Sequence, residues 1–165
     1  MKTLLILRHA KSSWDNPSLS DYDRPLNKRG KRDAPRMGKH IQEQELVPDR
    51  ILTSSAKRAR KTAAKVAKAC GYTGKIKKLD SFYHALPGVY YERIQSLSNE
   101  YLSVLVVGHN PTMEQLVTYL TGQNVTMPTT ALAHIELPIE HWKTLDLYTK
   151  GILRNLWTPK TLFTK

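Results

Sequence analysis

Arg8-His9 stands where a short apolar run, Thr3 to Leu7, gives out, and the same kind of junction recurs twice downstream. Ile51-Leu52-Thr53-Ser54 leads into Ser55-Ala56-Lys57-Arg58, and Val104 to Val107 leads into Gly108-His109-Asn110-Pro111. In an open α/β sheet the carboxyl ends of the strands gather along one edge, and ligands bind in the crevice there. Three separate segments therefore bring two histidines, His9 and His109, and two arginines, Arg8 and Arg58, to one place. That set suits a phosphoryl group. Arginine forks hold its oxygens in pairs, and an imidazole can attack phosphorus.

Each member has local support. Arg58 falls in the first turn of a helical pattern, where a positive side chain opposes the helix dipole and costs a few tenths of a kcal/mol. A bound anion reverses that sign, because helix N-termini and arginines both attract phosphate. On a helical wheel Arg58 lies at the edge of the apolar face near Thr62, away from the centre of the lysine stripe. In Gly108-His109-Asn110-Pro111, glycine permits a tight turn and proline fits the first helical position, so His109 projects from the sheet edge beside free backbone N–H groups. Arg24 lies in a turn-like stretch, Asp23-Arg24-Pro25-Leu26, and taken alone reads as a surface arginine. His40, His84, His134 and His141 show no metal-ligand spacing. There is no GxxxxGK[ST] phosphate loop and no GxGxxG fingerprint, which disfavours NTPases and nicotinamide enzymes.

The elements that must position these groups read as strands near 3–8, 50–54, 103–108, 131–137 and 144–149, with a weaker one near 75–79. The clearest helix runs from Ala56 to Cys70. Ala59, Ala63, Val66, Ala67 and Cys70 share one face, Lys57, Lys61, Lys65 and Lys68 line the opposite one, and Gly71 ends it. A second helix spans about Pro111 to Leu120 with Gly122 past its end, and a third spans Gly88 to Leu97. Asn27 to Gln44 is helical by pattern, but Pro35 inside it predicts a kink or a delayed start. Strands alternating with helices predict an α/β fold whose mostly parallel sheet is covered on both faces.

At 165 residues the chain is read as one domain, 1–165, with a core that needs no disulfide staples. The single cysteine, Cys70, fits a reducing compartment. The opening MKTLLILRH resembles a secretory signal, but the apolar run stops at Arg8 and no small-residue cleavage site follows. No stretch has the length of a membrane span, so a cytoplasmic protein is expected. A net charge of +12 fits nucleic acid, a membrane surface, an acidic protein partner or a phosphorylated substrate, as well as a merely solvated surface.

Arg8-His9-Ala10, Arg24-Pro25-Leu26 followed by Gly30, Ser55-x-x-Arg58-Ala59-x-x-Thr62 and Gly108-His109-Asn110-Pro111 together resemble the histidine phosphatase superfamily. Their order and spacing are similar to its small SixA-like branch, the phosphohistidine phosphatases. The resemblance implies a three-layer, phosphoglycerate mutase-like α/β fold. It implies that His9 is the nucleophile, forming a phosphohistidine that water hydrolyses, and that Arg8, Arg58 and His109 clamp the phosphoryl oxygens. Arg24 and Asn110 would contact substrate, and no metal or other cofactor would be needed. His9 must then be neutral at its attacking nitrogen, with the other nitrogen donating to a backbone carbonyl.

Ala10 departs from the glycine that many family members carry, a change tolerated where φ is negative. Superfamily members acting on sugar phosphates use a carboxylate to protonate the leaving oxygen, and here Asp80 is the nearby candidate. Without such an acid a phosphohistidine, whose imidazole leaves readily, is favoured over a sugar ester. The expected partner is therefore a phosphohistidine protein, with phosphate as product. A small phosphorylated molecule is the alternative. A nucleic-acid module using Lys57, Lys61, Lys65 and Lys68 is disfavoured, because no aromatic residues interleave with that stripe. Lys11, Ser12, Asp15 and Asn16 follow the nucleophile and stand close enough in sequence to touch substrate.

Overall fold

Unbroken apolar runs build the centre of the molecule. The computed structural model describes residues 1–163. Strands β1 (Lys2–Arg8), β2 (Arg50–Ser54), β3 (Ile76–Leu79), β4 (Ser103–Gly108), β5 (Leu132–Leu137) and β6 (Ile152–Trp157) form one sheet in the order β3-β2-β4-β1-β5-β6. The first four in that order are parallel, and β5 runs antiparallel to both β1 and β6. Leu4 to Leu7 and Val104 to Val107 are fully buried, as central strands covered on both faces must be.

Helices α1 (Lys28–Glu43), α2 (Lys57–Cys70), α3 (Pro87–Gln95), α4 (Thr112–Thr121) and the short α5 (Pro159–Phe163) complete the chain. Period-two alternation sends Leu5, Leu7, Ile51, Leu105 and Val107 to one face, where they meet Met37, Ile41, Ala63 and Val66 of α1 and α2. Leu4, Ile6, Leu52, Val104 and Val106 pack on the other face against Tyr90, Ile94, Leu116 and Val117 of α3 and α4. The result is the expected three-layer, mostly parallel α/β arrangement. Among the described residues, no helix is long and apolar enough to cross a membrane.

Glycine packs α1 onto its neighbours. A Cβ at Gly38 would stand 2.6 Å from the Val66 carbonyl oxygen of α2, and one at Gly30 would overlap the Lys11 carbonyl just past β1. Gly71 and Gly122 end α2 and α4 with φ of 81° and 76°, the left-handed cap glycine supplies at no steric cost.

Four expectations need correction. α1 runs unbroken through Pro35. Its inward residues Ala34, Met37, Gly38 and Ile41 are buried, and that packing outweighs one lost helix bond on a partly solvated side. The strand expected at 144–149 is absent. Those residues hold the end of a one-turn helix, Trp142–Thr144, and a turn in which the Asp146 carboxylate accepts from the Tyr148 N–H (2.8 Å). An aspartate tying the backbone two residues on is a turn device that the apolar spacing concealed. The final strand is instead β6, an edge whose six residues are all at least partly exposed, so it carries little hydrophobic pattern. Finally, Gly108 turns no corner at positive φ. It is glycine because a Cβ would overlap the Tyr90 hydroxyl, and Pro111 caps α4 instead of occupying its first turn.

Candidate active site

Sheet register brings the two histidines together. Arg8 on β1 lies beside Gly108 on β4, and the His9 N–H donates to the Gly108 carbonyl (3.0 Å). The His9 and His109 rings follow these neighbouring residues, with centroids 5.1 Å apart. The N–H of Thr130 reaches the carbonyls of both Arg8 and His9 (3.1 Å each), which pins the turn from the far side. Thr130 has φ of 66°, a left-handed conformation rare for a β-branched residue and of the kind that concentrates at functional sites.

His9 is 7% exposed. Its Nδ1 lies 2.8 Å from the Ala10 carbonyl oxygen. A carbonyl only accepts, so Nδ1 carries the proton and Nε2 keeps its lone pair. Burial pushes the ring's pKa down to about 3. His109, Arg58 and Arg8 add to that depression, and the Ala10 hydrogen bond opposes it. At neutral pH His9 is therefore uncharged, with one nucleophilic nitrogen.

The positive groups converge around it. Arg8 is half-buried. Its Nη1 donates to the Met127 carbonyl (3.1 Å), and its buried Nε has no partner among the described residues. Asn110 Nδ2 donates to that same carbonyl (2.8 Å), while the Glu114 carboxylate accepts the Met127 N–H (2.7 Å). Asn110 thus braces the loop that orients Arg8. His109 Nε2 sits 2.8 Å from Ser54 Oγ, at the end of β2, and its buried Nδ1 has no partner among the described residues. Burial, then the Arg58 charge, lowers the His109 pKa to about 4. Arg58 is buried beside Thr62, off the lysine stripe as the helical wheel requires. Thr62 Oγ1 donates to the Arg58 carbonyl (2.6 Å) and accepts the N–H of Ala10 (2.9 Å), fastening α2 to the loop that carries His9.

Arg24 is buried, not superficial. Its Nε donates to the Ser13 carbonyl (3.1 Å), Nη2 to Ser12 Oγ (2.5 Å) and Nη1 to Asp21 Oδ1 (3.0 Å), and its guanidinium lies over the Trp14 ring. Ser12 is thereby tied to Arg24, whereas Asp15 and Asn16 lie on the exposed loop. Asp80 opens a one-turn helix, Asp80–Phe82, and is exposed. Its carboxylate accepts no hydrogen bond among the described residues. Lys11 contributes its backbone, accepting the N–H of Asn27 (3.0 Å).

Sequence reasoning missed Asp21, Tyr83, Ser54 and Thr130. Asp21 belongs to a one-turn helix, Asp21–Asp23, within the long connection from β1 to α1. It meets Arg58 and Tyr83 from 37 and 62 residues away, so no local spacing announces it. Beside His109 lies a cavity of 240 Å³ lined in part by Phe82, His84, Leu86 and Gln115. Among the described residues no group of three or more His, Cys, Asp or Glu side chains is placed to hold a metal ion.

A neutral buried imidazole flanked by Arg8, Arg58 and His109 is equipped to receive a phosphoryl group. The profile described as "Histidine phosphatase superfamily (branch 1)" matches residues 4–83. An uncharacterised chloroplastic protein of Arabidopsis thaliana is 31% identical over 151 residues, covering 86% of this chain and 69% of its own. The structure of the protein histidine phosphatase SixA complexed with tungstate superposes with a TM-score of 0.82 at 27% identity, over 97% of this chain and 99% of that one. A SixA structure from Agrobacterium tumefaciens gives the same TM-score at 29% identity, over 96% and 98%. The chain belongs to the histidine phosphatase superfamily, in its SixA-like branch.

Proposed function

We propose that this phosphatase works without a metal, passes the phosphoryl group through His9, and acts on phosphohistidine carried by a protein. The observation that carries this reading is the His9 tautomer: Nδ1 is committed to the Ala10 carbonyl, leaving Nε2 as a neutral nucleophile among cationic groups. His9 Nε2 attacks phosphorus while the substrate's P–N bond breaks. The bond's electron pair stays on the departing nitrogen, which takes up a proton from solvent, so the substrate's imidazole leaves neutral. Water then attacks phospho-His9, the P–Nε2 bond breaks, and inorganic phosphate leaves with His9 neutral again. Arg8 and Arg58 offset the charge on the phosphoryl oxygens in both steps, and the neutral His109 ring hydrogen-bonds to them, the role positioning and electrostatics play in phosphoryl transfer.

Substrate class follows from the leaving group. Expelling an alkoxide calls for a proton donor. The Asp80 carboxylate bonds to none of the site residues, and Asp21 is held well below the usual carboxylate range by Tyr83, Arg58 and Arg24 against the opposing desolvation, so it is ionised and cannot donate. Imidazole needs less help. The related SixA bound to tungstate, a tetrahedral oxyanion, supports the phosphoryl site. The cavity beside His109 favours one other reading, a small phosphate ester whose body fills it.

A chelator-treated assay separates the two. Turnover of a phosphohistidine protein is expected to be undiminished by chelator and to exceed that of a sugar phosphate by about a hundredfold or more in kcat/KM. Loss of activity with chelator, or a preference for the sugar ester, would overturn the corresponding part of the proposal.

Charge placement supports a protein substrate. Helices α1 and α2 carry 12 of the 26 lysines and arginines and only two of the 14 acids, Asp33 and Glu43. Helices α3 and α4, on the opposite face, carry Arg93 against Glu92 and Glu114. The basic layer begins at the site, because α2 starts at Lys57 beside Arg58. Such a field speeds and orients encounter with an acidic partner. Replacing exposed Lys28, Lys31 and Lys61 together by glutamate should raise KM for an acidic phosphoprotein by about tenfold and flatten its salt dependence. Hydrolysis of an uncharged-tail aryl phosphate should change by less than about twofold. Equal losses on both substrates would sink the docking role.

A further inference from the structure

We propose that Asp21 is an internal anion that competes with the phosphoryl group for the arginine clamp and so drives release of product phosphate. The inference rests on the phosphatase reading above.

Both terminal nitrogens of Arg58 are engaged by one residue. Nη1 donates to the Asp21 backbone carbonyl (2.7 Å) and Nη2 to its Oδ2 (2.9 Å). The other carboxylate oxygen accepts from Arg24 (3.0 Å), and the Tyr83 hydroxyl donates to Oδ2 (2.6 Å). The carboxylate therefore bridges two arginines through bonds that a phosphoryl group also makes. Planar two-oxygen recognition by a guanidinium is common to carboxylate and phosphate.

The bridge is built to yield. Arg24 and Arg58 are buried, whereas Asp21 is exposed and sits in a single helical turn held by Ser20. Tyr83, its third partner, packs edge-on to the His109 ring (5.7 Å) and against His84 (4.0 Å), so the same contact reports to the far side of the site.

A need for such a competitor follows from the rest of the site. Arg8, Arg24 and Arg58 present three fixed positive charges around a neutral nucleophile, and phosphate is the last species to leave. A clamp with no internal counter-anion would hold product tightly and would be occupied by free phosphate. A carboxylate that re-enters as phosphate departs keeps both arginines paired throughout, which avoids leaving a buried cation unpartnered.

The test measures inhibition by inorganic phosphate together with kcat and KM on an aryl phosphate, for wild type, Asp21→Asn, Asp21→Glu and Tyr83→Phe. Asp21→Asn keeps shape and removes charge. It is expected to lower the phosphate inhibition constant and KM by about tenfold each, the scale of one unit charge acting over several ångströms of partly wet protein. Its kcat should fall as release becomes limiting. Asp21→Glu keeps the charge and should stay closer to wild type than Asp21→Asn. Tyr83→Phe leaves the carboxylate but loosens it, and should shift both constants in the Asn direction by a smaller factor.

A phosphate inhibition constant that is unchanged or raised in Asp21→Asn would overturn the proposal and leave Asp21 as a residue that only positions Arg58. If wild type and Asp21→Asn both ignore phosphate up to high millimolar levels, the phosphate-clamp reading itself fails, and this proposal with it.

Discussion

Replacing His9 by alanine is expected to lower kcat on an activated aryl phosphate by about a thousandfold or more, with no phosphoenzyme detectable after acid-free quenching. The size of the effect follows from how completely the site is organised around one atom. In the proposed reaction Arg8 and Arg58 stabilise charge on the phosphoryl group, and of the two uncharged imidazoles there His9 has its Nδ1 proton committed to a carbonyl, which leaves Nε2 to attack, whereas His109 Nε2 is held by Ser54. The Ala10 carbonyl fixes its tautomer, and the Thr130 N–H fixes the backbone that carries it. An alanine leaves the clamp standing and removes the bond-forming group, so phosphate should still bind while turnover stops. Rapid-quench labelling with a radiolabelled substrate, alongside steady-state rates, checks both halves. Equal turnover in wild type and His9→Ala would sink the nucleophile assignment, whatever the variant's affinity for phosphate.

Stability should fall by roughly 3–4 kcal/mol between pH 7 and pH 5 through His9 and His109 alone. The folded-state pKa values are about 3 and about 4 against 6.5 for the unfolded chain, in each case mainly because burial disfavours the imidazolium. As pH drops below 6.5 the unfolded chain takes up two protons that the folded site refuses. Stability is therefore full above the unfolded value and is lost progressively as pH falls toward the folded ones. Each histidine contributes about 2 kcal/mol at pH 5, reckoned at about 1.4 kcal/mol per pH unit. Denaturant unfolding of wild type, His9→Asn and His109→Asn at the two pH values tests this. Each variant should lose about half the difference. His40 and His134 are also lowered by burial and act in the same direction, so the comparison between proteins, not the wild-type slope alone, carries the conclusion. An unchanged slope in both variants would show that the two rings are solvated in the folded chain. Over the same range kcat/KM should not drop with an apparent pKa near 6.5, because the attacking ring stays neutral.

What was legible in advance was whatever depends on neighbours in the chain. Apolar runs ending at Arg8, Ser54 and Gly108 marked three strand ends, and the side of α2 away from its lysines marked Arg58. Both signals follow from the periods of strand and helix. The apolar spacing at 144–149 misled for the same reason. A turn closed by Asp146 contains apolar residues that merely alternate, and the true edge strand, β6, buries too little to show a pattern. Pro35 misled because the cost of one helix bond is visible in a sequence, while the packing of Met37 and Ile41 beneath it is not.

The residue types that can perform phosphoryl transfer, and the order in which the chain presents them, were determined by the sequence by itself. Tertiary structure alone decided their states and pairings. The strand order β3-β2-β4-β1 places segments distant in the chain side by side, and only then does His109 meet Ser54 or Asp21 meet Arg58 and Tyr83. Burial, which sets the charge of His9, is a property of everything packed around a ring and of no one segment. The separation of charge into a basic layer and a nearly neutral one has the same origin, since α1 and α2 share a face only through the sheet between them and the other helices.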